Sequence, residues 1–227
     1  MATTDTNPLL QRWATPYELP PFAALRPEHF APALHEAMRQ HRAEMDAIAQ
    51  QAEAPSFDNT LARLDASGRL LARVEAAFHN LCASETSPAL QQVQREMAGP
   101  VAAHSNALYM HAGLFARIDR LHAGRAGLGL TPEQLRLLEQ VHQDFVRAGA
   151  LLAPRDQLRY GALMERLAAL TTQFGHEAEN DVTRMKEGVA PYTRFVRGEL
   201  DQVEKAQRQL EGVRRRISEL NARVESI

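Results

Sequence analysis

Histidines are the first residues to examine for chemistry, because two of them on one helix can hold a zinc ion. Side chains at i and i+4 project from the same helix face, and an intervening glutamate can activate the metal-bound water. None of the nine histidines has another histidine four residues away. The sequence therefore predicts no metal ligand, no catalytic residue and no cofactor-binding residue in this chain.

The histidine pairs that come near this spacing do not meet it. His35 and His41 are six residues apart, which turns the second ring far from the first, so we interpret them as a solvated helix face. His104 and His111 share a face at i and i+7, but about 10 Å of helix separates them, so a partly buried, hydrogen-bonded pair is predicted. His176 has no partner histidine at the needed distance, and we interpret it as exposed chain.

Other candidate chemistries have simpler structural interpretations. Cys82 lies in the apolar stretch FHNLCAS and is predicted to be a small buried hydrophobe, because a reactive thiol needs an electropositive, accessible setting. The glycines of HAGRAGLGL follow no predicted strand, which disfavours a phosphate-binding loop. Met38 and Met45 are interpreted as core. The basic cluster 214–216 either contacts an acidic partner or forms the exposed flank of a helix.

Composition predicts an all-α protein. Hydrophobic residues make up 44% and charged residues 24% of the 227 residues, and aromatic residues only 6%; the remainder is rich in good helix formers. The formal net charge is −2, with both signs interspersed, so no nucleic-acid or anionic-membrane partner is predicted. A single cysteine, no secretion signal and no apolar run long enough to span a membrane lead us to expect a cytoplasmic location.

The elements that would position these residues are predicted to be long amphipathic helices, which follow a proline-rich N-terminal stretch. Residues 1–32 contain six prolines and are predicted to form an extended arm. Its anchoring contacts are expected from four aromatic residues: Trp13, Tyr17, Phe22 and Phe30.

Residues 33–174 carry the apolar periodicity of several helices. Pro100 is expected to kink or divide one of them, and Gly68 to interrupt the apolar stripe of another without abolishing it. Thr131 and Gln134 predict a capping box at a helix start, with Pro132 in the first helical position.

A change of character follows Phe174. Residues 175–191 are predicted to form a linker, because charged residues dominate and Gly188 to Pro191 punctuate the stretch. Residues 192–227 show a heptad pattern typical of a coiled-coil-like helix. Its apolar positions are Val196, Val203, Leu210, Ile217 and Val224, with Ala206, Val213, Leu220 and Ile227 three residues after four of them.

Part of the sequence resembles a known family. The runs PPFAALRPEHFAPALHEAMRQHRAEMDAIAQ, SFDNTLARLDASGRLLARVEAAFHNL and HAGLFARIDRLHAGRAGLGLTPEQLRLLEQVHQDFVRAGALL, continuing to ALMERLAALTTQF, resemble the N-terminal helical region of the thimet-oligopeptidase-like zinc peptidases. The peptidyl-dipeptidases are the nearest branch. The resemblance covers residues 7–174, whereas the tail from 188 to 227 more weakly resembles C-terminal helices of bacterial dynamin-like proteins, without their phosphate-binding loop.

The resemblance implies an all-α region that walls a channel for short peptides. In that family the zinc ligands lie on a His-Glu-x-x-His helix in the C-terminal half, which this chain is expected to lack, so zinc is expected only in a full-length relative. We therefore expect a truncated or chimeric N-terminal portion of a zinc-dependent peptidyl-dipeptidase, inactive alone. The alternative is a non-catalytic helical interaction module, with a helical partner or self-association through residues 196–227.

Overall fold

The computed structural model describes residues 7–186 and 193–225, and within these ranges the chain is helical and contains no strand. The α-helices, in chain order, are α1 (Pro27–Ala49), α2 (Arg63–Ala66), α3 (Arg69–Ser84), α4 (Pro88–Tyr109), α5 (Ala112–Ala123), α6 (Pro132–Arg147), α7 (Pro154–Lys186) and α8 (Thr193–Glu225). A π-helical turn at Phe57–Ala62 precedes α2. The all-α prediction is confirmed.

The chain divides into two compact units. The first contains residues 1–97 and 112–139, and the second contains residues 98–111 and 140–227. Helices α4 and α6 each contribute to both units. In α4 the division falls beside Pro100, where the sequence predicted a kink or a break, and the helix itself continues to Tyr109.

The core of the first unit forms on α1. Phe30 of α1 and Phe78 of α3 pack with their ring centroids 5.0 Å apart, within the range of favourable aromatic pairs. The other buried residues of α1 recur at helical spacing: Ala33, Leu34, Ala37, Met38, Met45 and Ile48. The core interpretation of the two methionines is confirmed, since Met38 is 5% and Met45 0% exposed.

A left-handed glycine separates α2 from α3. Gly68 has φ +68°, a region that side chains with a Cβ rarely adopt, and its backbone N–H donates to Glu44 Oε2 at 2.7 Å. A Cβ at this position would lie 2.9 Å from the His41 ring. The apolar stripe that was expected to pass through Gly68 therefore lies on two separate helices, α2 and α3. The glycine between them lets the backbone approach the His41 ring of α1 closely.

The N-terminal arm is anchored by only part of its predicted aromatic set. Trp13 is buried, donates from Nε1 to Pro8 O at 3.0 Å and stacks 4.7 Å beneath the Arg73 guanidinium. Tyr17 is 95% and Phe22 43% exposed, so their predicted anchoring was wrong. The backbone of Tyr17 is left-handed, with φ 59°, in a tight turn that directs the ring into solvent. Phe30 belongs to α1, which begins within the predicted arm at Pro27.

Helix α6 begins as its sequence predicted. Gln134 N–H donates to Thr131 Oγ1 at 3.3 Å, and Thr131 N–H donates to Gln134 Oε1 at 3.0 Å. The capping box thereby satisfies two backbone donors that the first helical turn leaves open. Further along α6, Leu138 and Phe145 are buried.

Helix α8 packs against α7 within the second unit. Leu210 and Ile217 form a buried cluster with Leu152 and Tyr160, flanked by the half-buried Val213, Leu220, Met110, Met164 and Leu167. Arg166 Nη2 donates to Gln202 Oε1 at 3.4 Å, whereas Leu152 and Tyr160, which come earlier in the chain than Arg166, pack with Leu210 and Ile217, which come later than Gln202. The two helices therefore run antiparallel. The described heptad positions therefore cover α7 of the same chain. The side chains of Val196 and Val224, and all of Ile227, lie outside the described part.

The predicted linker at residues 175–191 begins within a helix. Helix α7 runs without interruption to Lys186, so residues 175–186 of the predicted linker are helical, while residues 187–191 fall outside the described ranges. Glu, Ala, Arg, Met and Lys are good helix formers however charged the stretch is. Gly175 costs only about 1 kcal/mol relative to alanine, which a long helix tolerates. The high charge of this stretch is therefore compatible with a helix through Lys186, and the domain boundary stays a prediction.

Candidate functional site

The structure places the His35 and His41 pair in different surroundings. His35 is exposed on α1, whereas His41 is half-buried with Nε2 3.3 Å from Ser67 Oγ. Burial lowers the pKa of His41, and the charge of Glu44 offsets part of that change. The predicted solvated face is wrong for His41, because the ring packs against Gly68.

The predicted partial burial of His104 and His111 is confirmed, but their shared helix face is not. His104 is buried in α4, but α4 ends at Tyr109, so His111 lies beyond the helix and shares no helical face with it. His176 is 8% exposed in α7, so its interpretation as exposed chain was wrong. The uninterrupted α7 explains this, because it keeps His176 on a packed helix. No group of three or more His, Cys, Asp or Glu side chains in the described part is placed to hold a metal ion.

Cys82 is a free thiol in α3. It is half-buried, less enclosed than the sequence predicted, and burial raises its pKa to about 11. Nucleophilic cysteines have lowered pKa values, because the thiolate is the reactive form. The environment of Cys82 therefore opposes nucleophilic chemistry.

Among the described residues, an extensive buried polar cluster is built around Arg117, which the sequence analysis did not single out. Its side chain is 7% exposed within α5. The guanidinium donates to four oxygens: Thr60 Oγ1 at 3.3 Å, Gln51 O at 3.1 Å, Glu53 O at 3.1 Å and Asn59 Oδ1 at 2.9 Å. Gln51 and Glu53 belong to the loop after α1, and Asn59 and Thr60 belong to the π-helical turn that follows it.

Asn59 links the Arg117 cluster to the start of that turn. Its N–H donates to Ser56 Oγ at 3.1 Å, its Oδ1 accepts from Ser56 N–H at 2.8 Å, and its Nδ2 donates to Ala54 O at 2.9 Å. The cluster is fully hydrogen-bonded and holds no spare carboxylate or imidazole for proton transfer. We assign it to holding the loop after α1. The Ser-Phe-Asp-Asn run was the available signal, since Ser and Asn three residues apart form a capping box.

Two clefts lie in the second unit, and arginines line both. A cleft of about 320 Å³ between α7 and α8 is lined by Leu152, Asp156, Arg159, Arg208, Gln209, Gly212, Val213 and Arg216. A second, of about 370 Å³, is lined by Arg147, Tyr160, Arg214, Ile217 and Ser218. Arg214 and Arg216 of the predicted basic cluster thus face different clefts, a placement that sequence alone does not determine.

The known proteins to which this chain is similar are bacterial peptidases. The chain is 42% identical over 170 residues to dipeptidyl carboxypeptidase of Salmonella typhimurium and 40% identical over 171 residues to that of Escherichia coli. Oligopeptidase A of Salmonella typhimurium is 28% identical over 171 residues. Each match covers 75% of this chain and 25% of the relative.

The chain matches the N-terminal region of a thimet-oligopeptidase-like protein. It spans about a quarter of the length of these curated relatives. No protein-family model matches it. The recognition of a thimet-oligopeptidase-like N-terminal region is thereby confirmed, and the weaker likeness of the tail to dynamin-like proteins stays a prediction. Among the described helices, none is long and apolar enough to cross a membrane.

Proposed function

We propose that the chain is the N-terminal helical portion of a peptidyl-dipeptidase or oligopeptidase, and that in such a protein it helps to wall the channel for short peptides. The observation that carries this proposal is the 42% identity to dipeptidyl carboxypeptidase over 170 residues. The all-α architecture agrees with a wall element, because packed helices form a rigid surface against which an unstructured peptide can be held.

Zinc chemistry is assigned to the rest of such a protein. The described residues offer no group of ligands for a metal, so we derive no hydrolytic step for this chain. We expect the purified chain, with zinc added, to release no dipeptide from a short peptide blocked at its N-terminus. Dipeptide release that a chelator abolishes would contradict this assignment.

A segment exchange tests the wall function directly. In dipeptidyl carboxypeptidase of Escherichia coli, the matched segment of 171 residues is replaced by the matched segment of this chain. We expect the chimera to keep kcat for a blocked short peptide within roughly tenfold of the parent, about 1.4 kcal/mol in the barrier. A change in KM as the peptide is lengthened would reflect the exchanged wall.

An unrelated helical bundle of equal length in the same position is the control, and we expect it to give no activity. A chimera with the circular dichroism and zinc content of the parent, yet without dipeptide release, would contradict the proposal that this chain is the N-terminal portion of such a peptidase.

The interaction-module alternative receives less support, because Leu210 and Ile217 of the heptad pattern in α8 are buried against α7.

A further inference from the structure

The cleft between α7 and α8 concentrates positive charge. Arg159 reaches it from α7, and Arg208 and Arg216 reach it from α8. Asp156 is the only carboxylate among the residues that line it. The complete chain carries a net charge of −2, so three arginines to one aspartate is a local excess, and a cleft lined by one sign of charge attracts ions of the other.

The geometry of α8 keeps this cleft open. Arg208, Gly212 and Arg216 follow one another at intervals of four residues and so lie along one helix face. A glycine within a helix is less stable than an alanine, and a Cβ at Gly212 would meet nothing within 4 Å. Packing therefore does not require glycine here. Its effect is to leave space between the two arginines.

The charge of Arg208 is only weakly compensated within the chain. Arg208 Nη2 lies 3.8 Å from Glu204 Oε2, and both side chains are more than half exposed. Exposed ion pairs of this kind contribute little to stability and are screened by salt. A ligand with several charged oxygens can replace this contact at little cost, since guanidinium groups bind phosphate through paired hydrogen bonds.

From these observations we propose that the α7–α8 cleft binds a polyphosphate group through Arg159, Arg208 and Arg216. Its volume of about 320 Å³ is at the small end of ligand pockets, which span roughly 300–1,000 Å³. This size suits a diphosphate or triphosphate group. Inorganic polyphosphate and nucleotides both supply that chemistry, and the site goes beyond the peptidase role proposed above.

Calorimetric titration of the full chain with pyrophosphate, at constant ionic strength, tests the proposal. We expect saturable 1:1 binding that weakens as sodium chloride is raised. The double variant Arg208→Gln/Arg216→Gln should weaken binding at least tenfold. Arg12→Gln/Arg39→Gln removes the same charge from exposed sites elsewhere and should leave binding unchanged.

Gly212→Leu supplies a second test that keeps every arginine. Leucine favours the helix but fills the space between Arg208 and Arg216, so pyrophosphate binding should weaken while helical circular dichroism is retained. ADP in a parallel titration identifies the source: tighter binding of ADP than of pyrophosphate indicates a nucleotide, and the reverse indicates the inorganic ion. Absence of saturable binding of both probes, or equal binding by the wild type and the Arg208/Arg216 double variant, would overturn the proposal.

Discussion

Arg117 Nη2 donates a 2.9 Å hydrogen bond to Asn59 Oδ1 across 58 residues of sequence. This bond fastens α5 to the π-helical turn at Phe57–Ala62, and the same guanidinium also holds two backbone carbonyls of the preceding loop. A buried cation is thus stabilised by neutral oxygens. Each of these oxygens would lose a donor if the arginine were removed.

We therefore expect Arg117→Ala to lower the free energy of unfolding by about 3 kcal/mol, because buried acceptors left without donors cost about 1–3 kcal/mol each and do not add fully. Urea unfolding followed by circular dichroism measures the change. Arg39→Ala removes an exposed arginine and should leave the free energy of unfolding nearly unchanged. Equal effects of the two substitutions would show that the Arg117 cluster does not hold the fold.

Gly68→Ala should destabilise the chain by about 2 kcal/mol. Two causes act together: the left-handed backbone disfavours a Cβ by about 1 kcal/mol, and the added carbon would lie 2.9 Å from the His41 ring. Thermal unfolding measures the combined cost. Gly161→Ala is the matched control, since a Cβ there meets nothing within 4 Å in α7, and it should stabilise by about 0.5–1 kcal/mol. In a His41→Ala background the Gly68→Ala cost should shrink to the backbone part alone.

His41 should make stability depend on pH. Burial lowers the pKa of its imidazole in the folded chain, so the unfolded chain binds more protons as the pH falls below about 6.5. The contribution of neutral His41 to the free energy of unfolding is therefore complete above that pH. It decreases as the pH falls from the pKa of the unfolded chain toward the lower pKa of the folded chain. Urea unfolding at about pH 7.5 and about pH 5.5 should show a larger loss for wild type than for His41→Gln. A pH dependence identical in both chains would contradict the assignment.

The Cys82 thiol should react slowly with iodoacetamide. Burial raises its pKa to about 11, which reduces the thiolate fraction at neutral pH on the order of a hundredfold relative to an ordinary cysteine. Mass spectrometry of the native chain against time gives the rate. The urea-unfolded chain serves as the control and should react at the rate of a free thiol, whereas equally fast labelling of the native chain would show that the thiol is not shielded.

Ile217→Ala should lower the free energy of unfolding by about 2–4 kcal/mol, the usual cost of truncating a buried aliphatic side chain. Leu158→Ala is the control, because Leu158 is 78% exposed, whereas Ile217 is 5% exposed in the cluster against α7.

Because the described heptad positions of α8 are buried against α7 of the same chain, light scattering should give a monomer mass. A dimer that Ile217→Ala dissociates would instead support an intermolecular coiled coil.

The sequence determined the helical class and several details, because those depend on local signals. The capping box of Thr131 and Gln134 and the burial of Met38 and Met45 follow from spacing alone. The left-handed turn at Tyr17, held by hydrogen bonds within residues 12–19, has no periodic signature. The burial of His176 follows from the continuation of α7 past Phe174, which the charged sequence did not indicate. The convergence of Arg159 with Arg208 depends on contacts distant in sequence, since their helices had first to be placed antiparallel.

The uninterrupted course of α7 has a consequence for folding cooperativity. At about 1.5 Å per residue, its 33 residues form a rod about 50 Å long that carries the chain past Phe174 without a hinge. Residues on both sides of that position therefore belong to one hydrogen-bonded segment, and α8 covers Leu152 and Tyr160 near its beginning. Melting α8 would bare this apolar surface, so the tail and the helix beneath it are expected to unfold in a single transition.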